Sequence, residues 1–200
     1  MPTTRYGAPT GFEGSVAAAV AAELGYTANQ VGWERIPDFE PDNPVADVWI
    51  DRLDRPGPGY DLTAPYYRVP QAVVVRRTGP AVDGLADLST RKLGTVGTHR
   101  AAGLPAPTRF GTVAAATAAL TAGRVDALVL DLPTALATTR DRGLAVAGQL
   151  PATGGARTFR MAVPAGSPVT RCIDQALSTL ARDGTLARLE RQWLTARVLR

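Results

Sequence analysis

The chain has 200 residues, 45% apolar and 20% charged, enough for one large domain or two small ones with their own cores. Its formal net charge is +4, but Lys92 is the only lysine and the arginines are scattered among carboxylates, so no nucleic-acid-binding block is present. One cysteine, Cys172, and one histidine, His99, exclude an intramolecular disulfide and a Cys/His zinc site, and no run approaches the roughly 20 apolar residues of a membrane span.

Residues 1–14 are rich in Gly, Pro and Thr and read as loop, without the basic start and apolar core of a secretory signal. Ser15 is placed to cap a helix over Val16–Leu24, with Gly25 at its C′ position. Val31–Ile36 reads as a weak strand. The three prolines of 37–45 disfavour a helix there, and Val45–Ile50 is a buried-strand candidate ending at Asp51. A loop follows over Arg52–Tyr60, with Arg52, Asp54 and Arg55 among Pro and Gly.

The segment DLTAPYY (61–67) leads into a strand over Gln71–Arg76, and Leu85–Leu88 reads as a helical turn. Leu93–Val96 is a strand ending at Gly97, Thr98 and His99. Thr112 is placed to cap a helix over Val113–Ala122, closed by Gly123. Val125–Leu130 is a short apolar run of the kind found in buried parallel strands. It stops at Asp131, before Pro133 and a helix predicted to Arg142. Two roles are open for Asp131: a cap for that helix, or a ligand-facing carboxylate at the end of a strand.

Leu144–Ala147 and Thr158–Val163 are further strands. Ser167 and Pro168 open a helix whose stripe Val169, Cys172, Ile173, Ala176, Leu177, Leu180 predicts Cys172 as a packed core thiol. Thr185 begins a last helix with Leu186, Leu189 and Trp193. Strands and helices alternate, so the class is α/β.

Six segments, in this order, resemble the type 2 periplasmic solute-binding proteins of polar amino-acid ABC transporters. They are GFEGSVAAAVAAELGY, VADVWID, YDLTAPYYR, LADLSTRKLGTVGTH, TVAAATAALTAGRVDALVLDLPTAL and TFRMAVPAGSPVTRCIDQALSTLARDGTLARLERQWL. The resemblance implies two α/β lobes joined by a two-strand hinge, which closes on a ligand held between them. The crossing strands would lie near Val73–Arg77 and Thr158–Val163. Lobe 1 would then be 1–75 plus 162–200, and lobe 2 would be 76–161.

The resemblance also implies roles for particular residues. Asp131 would meet the ligand ammonium. Thr98, with the backbone N–H groups that follow Gly97 at the start of a lobe 2 helix, would meet the carboxylate. Arg52 or Arg55 would pair with the same carboxylate. Tyr6, Trp49, Tyr66 and Tyr67 are candidate pocket walls, with Trp49 more naturally core. Tyr66 and Tyr67 are expected to face opposite ways, one to the core and one to the pocket. His99, just after the anion-binding turn, is a further ligand candidate.

The chain departs from the pattern in lobe 1. DRLDRPGPG replaces the usual Thr-x-Glu-Arg-like segment, the proline-rich 37–45 replaces a helix, and only MPTTR precedes Tyr6 where a first strand is expected. A reduced first lobe is the expectation. The function implied is capture of a small amino acid or similar polar zwitterion, with an ABC transporter permease as partner and neither catalytic residue, metal nor cofactor. Two alternatives share the scaffold. One is a cyclohexadienyl dehydratase-like enzyme, for which Glu13, Asp51 or Asp54 would serve as acid or base. The other is a ligand-sensing module. Location follows the start: extracytoplasmic if a signal has been removed, cytoplasmic if Met1 is the true start.

Overall fold

The computed structural model describes residues 10–34, 46–53, 57–97, 103–140, 143–151 and 157–199, with the side chains of 51–53 outside the description. In chain order the elements are α1 (Phe12–Glu23), β1 (Trp49–Leu53), β2 (Tyr60–Leu62), β3 (Tyr67–Arg68), β4 (Gln71–Arg76), β5 (Leu93–Val96), β6 (Thr108–Phe110), α2 (Val113–Thr121), β7 (Ala127–Asp131), α3 (Leu132–Thr138), β8 (Leu144–Gln149), β9 (Thr158–Pro164), α4 (Val169–Arg182) and α5 (Thr185–Trp193). They form two units. Unit 1 is Met1–Arg68 with Arg157–Trp193, and unit 2 is Val69–Ala156 with Leu194–Arg200. The chain thus passes between units after Arg68, Ala156 and Trp193, whereas the expected lobes divide at 75/76 and 161/162. The difference lies in strand pairing: β4 has partners on both sides within unit 2, and β9 has partners on both sides within unit 1.

In unit 1 the sheet is built on β9, which pairs antiparallel with β1 on one side and with β2 and β3 on the other. β2 and β3 are two pieces of one edge, broken at Thr63–Tyr66. Thr63 bridges the break: its N–H donates to Met161 O (3.0 Å) and its Oγ1 accepts from Met161 N (3.1 Å). A fully buried hydroxyl thereby does the work of a ladder carbonyl. Helices α1, α4 and α5 pack on one another, burying Val16 and Val20 from α1, Ile173, Ala176, Leu177 and Leu180 from α4, and Leu189 from α5.

Three expectations change here. Helix α1 begins at Phe12 rather than after Ser15, and its N-cap Gly11 makes no side-chain cap bond. Residues 31–34 form no named strand, while 35 and 36 lie outside the described residues. Cys172 is exposed rather than packed, as is Val169. Both sit in the first turn of α4, at the margin of the stripe, where the buried face has narrowed to Ile173 and its successors.

Unit 2 is a five-stranded sheet in the order β6-β5-β7-β4-β8. β6, β5 and β7 are parallel, and β4 runs antiparallel to both β7 and β8. Because β4 lies inside the sheet, its residues Ala72–Val75 are all buried and the apolar run is unbroken. One face carries Val73, Val75, Ala127 and Val129, packed with Val82, Leu88, Leu93 and Leu150. Thr112 caps α2 as expected, its Oγ1 accepting from Ala115 N (3.1 Å). Helix α3 is shorter than its pattern, ending at Thr138.

The C-terminal segment completes unit 2. Val198 bridges in parallel to Gln149, and Leu199, fully buried, joins the core beside Val73 and Leu88. A bulge in β8 at Ala147 leaves that residue outside the ladder, and Arg197 Nε donates to its carbonyl (2.8 Å) while Nη2 donates to Val82 O (2.6 Å). Among the described residues no helix is long and apolar enough to cross a membrane.

Candidate functional site

The sheet of unit 2 has a topological switch. β5 lies between β6 and β7, so the chain leaves β5 toward one side, while β7 continues through α3 toward the other. In open parallel sheets the carboxyl ends of strands on either side of such a reversal form a ligand crevice. The parallel register pairs Leu93 with Ala127, Gly94 with Leu128 and Thr95 with Val129. The pairing ends there, and Gly97 and Asp131 each follow two residues later, at the carboxyl ends of the two adjacent strands. These two of the sequence-derived residues thus stand at the ends of neighbouring parallel strands.

Each has a local reason for its place. Gly97 follows the last residue of β5 with φ +74°, a left-handed conformation that a side chain would strain. Asp131 ends β7 and caps α3: Oδ1 accepts from Thr134 N and Oδ2 from Thr134 Oγ1, both at 2.8 Å. The capping role read from the sequence is present, and it holds the carboxylate rigidly at the strand end. Beneath it, the fully buried Thr95 donates Oγ1–H to Val129 O (2.8 Å), tying β5 to β7 just below their ends.

Other sequence-derived residues fall elsewhere. Thr98 and His99 lie outside the described residues, and no helix occurs between 103 and β6, so a helix start there is not seen among the described residues. Arg55 also lies outside them. Arg52 is not in a loop after the strand but within β1, where the register with β9 slips between Ile50 and Leu53 and leaves Asp51 and Arg52 in a bulge.

Trp49 and Tyr67 belong to unit 1, opposite Ala162 and Phe159 on β9, and both are buried. Tyr66 and Tyr67 do not divide between core and pocket. Both rings join Phe12 and Phe159 in one cluster, with centroids 4.9–6.3 Å apart. Strand alternation does not apply, because only Tyr67 is in β3 and Tyr66 lies in the bend before it.

Gln71 is missing from the sequence-derived set. It starts β4 directly opposite Asp131. Nothing local signals this, since the pairing of β4 with β7 is a long-range choice.

No protein-family model and no curated protein matches the chain. Among solved structures it is similar to substrate-binding domain 2 of Lactococcus lactis GlnP in the open conformation (TM-score 0.68, 18% identity, 92% of this chain and 85% of that one). It is also similar to an ancestral arginine-binding protein bound to glutamine (TM-score 0.56, 28% identity, 92% and 87%). A third neighbour is the GluR0 ligand-binding core in complex with L-glutamate (TM-score 0.61, 19% identity, 97% and 94%). Two α/β units, the switched sheet of unit 2 and these neighbours together establish that the chain has the fold of the type 2 periplasmic solute-binding proteins, the group to which its amino-acid-binding neighbours belong.

Proposed function

We propose that this chain is a solute-binding protein that captures an amino acid or a similar small zwitterion. The observation that carries this reading is that Gly97 and Asp131 stand at the carboxyl ends of the adjacent parallel strands β5 and β7, at the switch point of unit 2. A fixed carboxylate and a sharply turned backbone offer opposite polarities to the two ends of an amino acid. The 28% identical neighbour, an arginine-binding protein bound to glutamine, supports the ligand class.

In this reading Asp131 accepts charge-assisted hydrogen bonds from the ligand ammonium. Backbone N–H groups after Gly97, with Thr98, receive the carboxylate. His99 is a further candidate for the ligand. Trp49 and Tyr67 act through the packing of unit 1. The natural partner is an ABC transporter permease, and the site of action is extracytoplasmic.

The test is a thermal-shift and calorimetric screen against the twenty common L-amino acids. A ligand at a hundredfold excess over its Kd adds about 2.7 kcal/mol, which for a chain of this size raises Tm by roughly 5–10 °C. Asp131→Asn keeps an acceptor for Thr134 N, so its unliganded Tm stays near that of the parent. Its ligand affinity falls about ten- to a hundredfold. Undiminished binding by Asp131→Asn would refute the assigned polarity, and no binding of any amino acid would refute the function.

A further inference from the structure

An ammonium group donates three hydrogen bonds, and a carboxylate offers about four lone-pair positions. Asp131 has already committed one on each oxygen, to Thr134 N and Thr134 Oγ1. About one position per oxygen is left, two for three donors. A ligand ammonium at Asp131 therefore needs a further acceptor, or it carries an unsatisfied buried N–H.

Gln71 is in place to supply it. It pairs with Asp131 across the antiparallel β4–β7 ladder, so both side chains emerge on the same face of the sheet. Leu132 N donates to Pro70 O (2.9 Å), which makes 70/132 the hydrogen-bonded position and Gln71/Asp131 the adjoining, closely spaced one. Cβ atoms at such a position are about 4.5–5.5 Å apart, within easy reach of one ammonium. Gln71 is half-buried. Its own carbonyl accepts from Leu150 N (2.7 Å), which fixes the backbone. Its side-chain amide makes no hydrogen bond among the described residues, which leave the Oε1 acceptor open to a ligand.

Building on the amino-acid-binding reading of the preceding section, we propose that Gln71 is a specificity-determining residue, its Oε1 accepting the third N–H of the ligand ammonium beside Asp131. The site is thereby selective for primary ammonium groups. An N-trimethylated zwitterion keeps the charge that Asp131 attracts but has no N–H for Gln71 to read.

The experiment is calorimetry on the full chain with the twenty common L-amino acids, followed by the tightest of them and its Nα-trimethyl derivative. Gln71→Met keeps length and flexibility and removes the strong acceptor, whereas Gln71→Glu keeps an oxygen in place. Gln71→Met is expected to weaken the primary amine about ten- to a hundredfold and the trimethylated form less than about twofold. Gln71→Glu is expected to retain binding of the primary amine. Without ligand Gln71→Met should melt with the parent, because the half-buried Gln71 side chain has no hydrogen-bond partner among the described residues, whereas Gln71→Glu should melt lower, because it sets a second carboxylate directly opposite Asp131. Equal losses for both ligands in Gln71→Met, or no loss for either, overturns the role of Gln71 and leaves the binding function standing. If the parent chain binds none of the twenty, the function itself fails and the role of Gln71 falls with it.

Discussion

Gly148 in β8 is flush against the C-terminal segment. A Cβ built there would meet Arg197 O at 2.8 Å and Leu199 Cγ at 2.8 Å, closer than real contacts allow. One of the obstructing atoms is backbone, so the segment rather than a flexible side-chain tip must move. Gly148→Ala should therefore act by lifting the tail. In the full chain the overpacking costs about 1–3 kcal/mol. The upper limit is the worth of the docked tail itself. That worth is set by fully buried Leu199, a side chain whose loss costs about 2–5 kcal/mol. The bonds from Gln149 N to Arg197 O (2.6 Å) and from Leu199 N to Gln149 O (2.8 Å) are offset in part by the entropy of ordering the tail.

In a chain ending at Trp193 the obstruction is gone. There Gly148→Ala should be neutral or stabilising by up to about 1 kcal/mol, because alanine loses less backbone entropy in a strand than glycine. Urea unfolding of the four proteins, followed by far-ultraviolet circular dichroism, completes a double-mutant cycle. The expected coupling is about 1–3 kcal/mol. An equal cost of Gly148→Ala in both lengths would refute the docking of the tail on β8.

Thr95→Val removes a buried hydroxyl that donates to Val129 O. It should cost about 1 kcal/mol in urea unfolding; no loss would mean the β5–β7 tie is not made. The amides of Gly84 and Asp83 hold the Asp87 carboxyl below its ordinary value. A lowered folded value gives stability that is present above the unfolded value and lost as pH falls through the folded one. The stability gap between the parent and Asp87→Asn should be full at neutral pH and close in acid; a gap independent of pH would contradict it. Cys172, exposed in α4, should react with a maleimide in native buffer as fast as in denaturant, and protection that disappears only on unfolding would put it back in the core.

What could be read locally was read well. β4 and β5 begin and end where Gln71–Arg76 and Leu93–Val96 predict, because buried apolar runs bounded by turn residues carry their own signal. Thr112 caps α2, and Asp131 both ends a strand and caps a helix, each specified by side chains within a few residues. The group of segments resembling solute-binding proteins is likewise a property of order along the chain, and the fold agrees with it.

Tertiary packing decided the remainder. Cys172 satisfies the helical period, yet burial on α4 depends on where its neighbours reach, and they reach Ile173 but not the first turn. Tyr66 and Tyr67 share a cluster because a bend, not a strand, precedes β3. Arg52 lies in a bulge because β9 imposes its register on β1. The tail joins unit 2, and Gln71 stands opposite Asp131, through pairings between residues far apart in sequence. Periodicity and capping are short-range effects, whereas register and edge partners minimise the free energy of the whole sheet. The sequence by itself therefore determined most of the elements and their local caps, and the sheet decided which side chains stand opposite one another.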